Sequence, residues 1–330
     1  MSKNKYYNNL FNLDILRSIA VVMVLLSHLP NLELPTYYEQ RGLGLLGIVI
    51  FFVHTSFVLM SSLERIDAKH IINYKFYIRR IFRVYPLSIF AVCVYSYIDF
   101  ILNYKFNLSI FFSNIFLIQN FILAESIPRV LWSLPYEIQM YFFLPFIFMF
   151  VKSKKKILLL YVSFCLLVML LKLFDDDKKY YDFFHFTPIF ISGCVGFIFF
   201  SKKNKINPLY LVIYIVLSCL LFPIMMKIGA KENLLGVIFA LPLGFLIAYS
   251  KEIKHDLINK VCKVIAKYSY GIYLFHLLMI DVFFKHINSN LHIILKYFLV
   301  FFSTLLISYI AFNFIERPFI KFGKKMSYKY

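Results

Sequence analysis

The chain has 330 residues, 61% hydrophobic and 20% aromatic, and carries a formal net charge of +19. That apolar content and the positive mean hydropathy exclude an ordinary soluble globule and place the chain among polytopic membrane proteins. The positive charge sits in short segments between apolar runs, where it reports membrane topology and gives no reason to expect a nucleic-acid partner.

Apolar runs recur near residues 13–30, 43–63, 84–102, 109–124, 131–151, 157–174, 183–200, 208–226, 233–250, 269–287 and 293–315. Arg17 interrupts the first run and no small-residue cleavage site follows, so the start reads as an uncleaved first span. Counting every run as a span would put Lys152-Ser153-Lys154-Lys155-Lys156 outside, against the positive-inside rule. The weakest run, 109–124, contains Asn114, Gln119 and Asn120. Taken as a re-entrant or interfacial helix, it leaves about ten transmembrane helices with the N- and C-termini cytoplasmic. Inside segments then hold 25 Lys and Arg against 8 outside. The expected fold is an all-α polytopic membrane protein, one integral domain over residues 1–330, with no soluble domain at either end and no internal repeat. The five cysteines have neither CxxC nor Cys/His ligand spacing, so no metal site or disulfide framework is expected. Asp175-Asp176-Asp177 reads as a solvated outer loop.

The first run carries Arg17 and His28, eleven positions apart. On a helix both project from one face, separated by about 16 Å along the axis. Ionisable groups in a membrane helix are costly unless they face protein or a wet cavity, which makes them functional candidates. The structural alternative is a snorkelling arginine and a hydrogen-bonded histidine. Asp14, three residues earlier, can pair with Arg17. In the second run His54 falls near the bilayer midplane, a rival to His28 or a hydrogen-bonding partner for a neighbouring helix.

Arg79, Arg80 and Arg83 follow at the entry of the third run. Three guanidiniums beside a membrane mouth suit a cytosolic phosphorylated ligand. Positive-inside charge and contacts with anionic membrane lipid explain such a run equally well. The block Trp132-Ser133-Leu134-Pro135-Tyr136-Glu137, continued to Tyr141, places Ser133, Glu137 and Tyr141 at i, i+4 and i+8, a polar stripe on one helix face. Glu137 comes to a depth comparable with His28, and a His–carboxylate pair is a general-base arrangement; the alternative is a structural ion pair. Trp132 can serve as an interfacial belt residue. Ser269 to His276 and Glu316-Arg317-Pro318 read as mainly structural, Ser269 as a helix cap and Glu316-Arg317 as an inner-leaflet pair.

In this order the blocks resemble the acyltransferase-3 family of integral membrane O-acyltransferases, from Leu13 to Pro318. The carriers are Leu16-Arg17-Ser18-Ile19-Ala20 with His28, Gly47 with Phe51-Phe52, the Arg79/Arg80/Arg83 run to Pro86, Trp132 to Glu137, Ser269 to His276, and Glu316-Arg317-Pro318. His54-Thr55-Ser56 stand where the family's commonest pattern has Ser-Gly, losing a close backbone approach and adding a mid-membrane polar group. The resemblance implies transfer of an acyl group, commonly acetyl, from cytosolic acyl-CoA to a hydroxyl of a cell-envelope glycan or lipid-linked saccharide. Acyl-CoA is then a co-substrate and no cofactor is bound. The resemblance also implies functional roles for Arg17, His28 and Glu137, donor binding by Arg79, Arg80 and Arg83, and residence in the cell's inner membrane. No esterase-like C-terminal domain of the kind some members carry is expected here, so the membrane domain is expected to act alone or with a partner. On these residues His28 is the expected base, Glu137 its orienting carboxylate and Arg17 a donor-guiding group, with His54, Ser133, Tyr141 and Trp132 as auxiliary candidates. A covalent acyl-histidine is compatible with the same residues. The rival class is a proton-coupled transporter or glycan exporter, with Arg17, His28 and Glu137 as a relay. A purely structural scaffold would leave the buried polar groups without a purpose.

Overall fold

The computed structural model describes residues 10–30, 37–66, 73–104, 106–174, 184–200, 205–287 and 291–328, so the expected Asp175-Asp176-Asp177 loop lies outside the described residues. The described residues form helices and no strand; an isolated bridge pairs Ile206 with Ser250. The helices are α1 (Phe11–His28), α2 (Tyr37–Arg65), α3 (Tyr74–Asn103), α4 (Leu108–Ile115), α5 (Leu134–Phe150), α6 (Lys154–Phe174), α7 (Thr187–Phe199), α8 (Leu209–Lys227), α9 (Glu232–Tyr249), α10 (Asp256–Asp281), α11 (Ile293–Ala311) and α12 (Arg317–Met326). A 3-10 turn covers Arg129–Ser133, and π segments cover Val282–His286 and Phe312–Glu316.

Seven helical stretches among the described residues are long and apolar enough to cross a membrane: Phe11–His28, Gln40–Arg65, Tyr74–Leu102, Lys154–Phe174, Leu209–Lys227, Glu232–Tyr249 and Ile293–Met326. Because lipid cannot hydrogen-bond a backbone, helices that satisfy their own amides are the form such segments take.

The described residues divide into two compact units. The first draws on Met1–Ser27, Glu33–Ile72 and Gln139–Ala266. Lipid gives little drive for helices to associate, so tight packing needs small residues at the crossings. A Cβ on Gly193 of α7 would fall 2.2 Å from the Val53 carbonyl oxygen and from Ser56 Oγ on α2. The close backbone approach that α2 itself lacks at His54-Thr55-Ser56 is therefore made from the other side. Gly196 meets Gly244 of α9 in the same way, and Gly47 meets the Ala20 carbonyl of α1. Phe52 stacks on Phe190 with ring centres 4.1 Å apart. At the start of α1, Glu252 accepts from the Asn12 backbone amide at 2.9 Å, while the Asn12 side chain donates to the Lys251 carbonyl and accepts from Ile253 N–H.

The second unit draws on His28–Leu32, Asn73–Ile138 and Lys267–Tyr330. Its spine is α3 beside α10. Tyr270 donates to the Val84 carbonyl at 2.9 Å. Eleven residues further along α3, the Tyr95 hydroxyl donates to the Leu274 carbonyl at 3.1 Å and accepts from Leu278 N–H at 2.8 Å. In an α-helix that amide and carbonyl are partners, so the Tyr95 hydroxyl sits on one turn of α10 and ties α3 to it.

The 109–124 run is not one helix. Asn107 caps α4 by accepting from Ser109 and Ile110 N–H. Eight residues then rise only about 12 Å. The chain continues in turns, with Leu117 and Leu123 in left-handed conformations (φ 56° and 53°). The Phe116 carbonyl accepts from Tyr85, eighteen residues before the end of α3. The segment therefore folds back along α3 by most of its length.

Candidate functional site

Two ring nitrogens define the centre of the second unit. His276 Nε2 lies 3.4 Å from His28 Nδ1, and the rings meet edge-on with centres 5.1 Å apart. His276 Nδ1 lies 3.0 Å from the Ile272 carbonyl. A carbonyl only accepts, so the network assigns the proton of neutral His276 to Nδ1 and leaves a lone pair on Nε2. That lone pair takes the Nδ1 proton of His28 and leaves the outer nitrogen of His28, Nε2, as an acceptor. His276 is 1% exposed, whereas His28 is exposed at the C-terminal end of α1. A buried, fixed ring thus orients an accessible one, as the carboxylate does in a hydrolase triad. Tyr297 steadies the chain beyond His28 by donating to the Pro30 carbonyl at 2.9 Å.

Sequence spacing explains how α10 builds this corner. Tyr273 and His276 are three residues apart, on one helix face, with ring centres 6.3 Å apart. Gly271 lies against Ser308 of α11, where a Cβ would come within 2.9 Å of the serine Cβ. Tyr273 is hydrogen-bonded to Ser133 at 2.7 Å and donates to the Val130 carbonyl. The next carbonyl of the same 3-10 turn, Leu131, accepts from Gln119 Nε2 at 3.3 Å. The folded-back segment, the 3-10 turn and α10 thereby form one polar chain ending at His28.

Glu137 occupies the first turn of α5, where the positive end of the helix favours a carboxylate. It lies within electrostatic reach of Tyr273 and Tyr270, and buried Glu316 lies within reach of Tyr270. The structure corrects the stripe expected along this block. Ser133 belongs to the 3-10 turn and not to α5, because Pro135 has no amide hydrogen and fits only a first helical turn. Ser133 is nonetheless buried against Tyr273, and Trp132 packs edge-on to Tyr136 at 6.2 Å. Tyr141 is buried two turns into α5, in the part that belongs to the first unit.

Arg79, Arg80 and Arg83 lie in the first turns of α3, whose N-terminus Asn73 caps by accepting from Phe76 N–H. Arg79 Nε donates to Ser327 at 2.9 Å and its guanidinium lies 5.6 Å from the Tyr328 ring centre. Arg80 lies over the Phe76 ring at 5.7 Å. Gly323 of α12 packs against Phe82, where a Cβ would come to 2.5 Å, so the C-terminal helix is pressed onto the arginine run.

In the first unit, Arg17 stands 5.7 Å from the Phe51 ring centre and within electrostatic reach of Asp14. Phe51 also neighbours His54, which is buried. Arg17 and His54 thus flank one ring.

Sequence reasoning assigned the orienting role to Glu137 and left His276 and Tyr273 as structural. The i, i+3 pair of polar aromatics in an apolar helix was the available signal. Ser269, expected to cap its helix, lies inside α10 instead, because the charged stretch from Asp256 continues as the same helix.

The family model described as "Acyltransferase domain" (Acyl_transf_3) matches residues 10–313. The chain belongs to the acyltransferase-3 family. It is 24% identical to "Putative O-acetyltransferase SACOL0978" of Staphylococcus aureus strain COL, over 98% of this chain and 59% of that protein. The match to "Putative O-acetyltransferase SAS0844" of strain MSSA476 has the same identity and coverage. It is 26% identical to "Putative acetyltransferase ORF330" of Acidianus two-tailed virus, over 80% of this chain and 81% of that protein. The chain thus spans about three-fifths of the length of the staphylococcal relatives it matches. No solved structure matches it.

Proposed function

We propose that this acyltransferase-3 chain is an O-acetyltransferase of the cell's inner membrane that moves an acetyl group from cytosolic acetyl-CoA to a hydroxyl of an envelope glycan or lipid-linked saccharide. The observation that carries the reading is the exposed His28 ring held by the buried ring of His276. His28 Nε2 removes the acceptor's hydroxyl proton as the oxygen attacks the thioester carbonyl. The C–O ester bond forms, the C–S bond breaks, and the leaving thiolate takes the proton back from the imidazolium. His276 is a positioning residue, and Glu137 helps set the orientation of the Tyr273 face beside it. Arg79, Arg80 and Arg83 hold the donor's phosphates, which guanidinium forks suit. Arg17, about three helical turns before His28 on α1, guides the pantetheine arm. His54, Ser133, Tyr141 and Trp132 are auxiliary. The matching topology has about ten spans, with both termini and the arginine run on the cytoplasmic side and the folded-back 109–124 segment re-entrant. No bound cofactor is needed, because the donor supplies the activated acyl group.

The test compares surface glycans, by mass spectrometry, from cells carrying the intact protein, a deletion and the His28→Ala variant. Loss of an acetyl-sized mass increment in both altered strains is expected and names the acceptor. Unchanged glycans in the deletion would remove the envelope-glycan acceptor. Full acetylation with His28→Ala would remove the base. Acyl-CoA consumption that depends on the protein separates transfer from transport.

A further inference from the structure

The last apolar run is followed by a helix of a different kind. Residues 297–315, flanked by Lys296 and Glu316, hold no charged side chain, and nineteen helical residues rise about 29 Å, the thickness of a hydrocarbon core. α12 therefore begins where the hydrocarbon ends. At about 100° per residue, Arg317, Lys321, Lys324 and Lys325 share one of its faces, and Phe319, Phe322 and Met326 lie on the opposite one. The apolar face docks on α3: the ring centres of Phe319 and Phe322 stand 6.4 and 5.3 Å from that of Phe82, and Gly323 lets the two helices touch. Just past the helix, Ser327 and Tyr328 hold Arg79, so α12 is fixed in place at both ends of this contact. Phe82 covers only part of the apolar face, because Phe319 and Phe322 are still 43% and 53% exposed. The four basic residues are exposed as well, and no carboxylate among the described residues pairs with them. Residues 317–330 contain no Asp or Glu.

We infer that α12 is a binding surface for anionic phospholipid, with Arg317 and the three lysines on the headgroup phosphates and the uncovered phenylalanine edges among the first acyl carbons. A helix with one basic and one aromatic face settles at the headgroup boundary, and the uncharged stretch before α12 delivers it to that level. A zwitterionic headgroup brings its own ammonium group, so four cations without carboxylates select lipids of net negative charge. A soluble phosphorylated ligand would satisfy the basic face alone and leave the exposed phenylalanines opposite it in water. The surface is separate from the arginine run given to the donor. It needs a membrane-embedded α11 but neither donor nor acceptor, so it does not rest on the transferase reading.

The full chain, one copy per nanodisc, is placed in phosphatidylcholine that holds a trace of phosphatidylglycerol with a photoreactive group near its headgroup. A matched sample holds photoreactive phosphatidylcholine instead. After irradiation, peptide mass spectrometry maps the adducts. Each lysine at an anionic surface adds about fivefold, so phosphatidylglycerol adducts on residues 317–328 should exceed phosphatidylcholine adducts by at least about tenfold. Lys321→Gln, Lys324→Gln and Lys325→Gln together remove most of that excess and leave the melting temperature level, because exposed side chains without partners carry little stability. The same three positions changed to arginine keep the excess. Equal labelling by the two lipids overturns the inference, as does an excess that survives the triple glutamine variant. An excess abolished by millimolar pyrophosphate at constant ionic strength also overturns it, by giving the face to a soluble phosphate. A protein that labels as expected yet transfers no acetyl group would remove the transferase reading and leave the lipid surface standing.

Discussion

Replacing Tyr273 by phenylalanine takes one oxygen from the polar chain and leaves the ring. That oxygen is bonded to Ser133 Oγ at 2.7 Å and to the Val130 carbonyl; the serine is buried and the tyrosine half-buried. Without it a carbonyl and a hydroxyl lose their partner where water does not reach. A stranded buried group costs about 1–3 kcal/mol, and the serine hydroxyl can turn back to a carbonyl of its own turn, so the expected loss is about 1–3 kcal/mol in all. The 3-10 turn is also released from α10, on the face that carries His276, so acetyl transfer should fall with it. Thermal unfolding in nanodiscs reads the first effect and initial transfer rates read the second. Ser133→Ala supplies the control: it removes one of the groups that Tyr273→Phe would strand, so the double variant should lose less stability than the sum of the two single ones. Strict additivity, or a Tyr273→Phe protein as stable as the parent, would refute the hydrogen-bonded chain.

Gly193→Ala should lower the unfolding free energy by about 1–3 kcal/mol, because the new Cβ meets the Val53 backbone carbonyl and Ser56 at 2.2 Å and helices α2 and α7 must separate. A melting temperature equal to the parent's would show that the crossing is looser than this. Arg79→Lys keeps the charge but loses the Nε bond to Ser327 and the planar fork, so the KM for acetyl-CoA should rise about tenfold while the acceptor KM stays level. Burial pushes the Glu252 carboxyl above its ordinary value, against the opposing pull of the Asn12 amide and Lys205. A folded value above the unfolded one means the stabilisation is present at low pH and fades as pH rises through the folded value. Stability relative to Glu252→Gln should therefore decline from about pH 4.5 upward, and parallel pH profiles for the two proteins would exclude it.

Composition and periodicity carried the helical membrane architecture, because the need to satisfy backbone amides in lipid leaves few alternatives. They also carried the anomaly at 109–124, where Asn114, Gln119 and Asn120 are too polar for a span. What they could not carry is where the segment goes after it turns back. That depends on a tertiary bond, Tyr85 to the Phe116 carbonyl, and on left-handed leucines that no propensity favours. His28 was legible as an ionisable group in an apolar run. Its partner was not, because sequence spacing relates residues on one helix and His276 lies 248 positions away on another. The nearest titratable candidate at a matching depth was Glu137, which reaches Tyr273. The stripe through Ser133 failed locally, since a helical period was extended across Pro135 into a 3-10 turn.

The same network bears on the choice between a transferase and a proton-coupled transporter. A proton relay needs groups that both receive and release a proton. The links from Gln119 to Tyr273 run instead through the carbonyls of Val130 and Leu131, and His276 is fixed by the carbonyl of Ile272. Carbonyls only accept, so this chain positions its members and does not conduct along itself. At His28 the Nδ1 side is held by a ring buried behind it, and the side chain is exposed. An exposed base on an orienting scaffold suits abstraction from a hydroxyl brought to it.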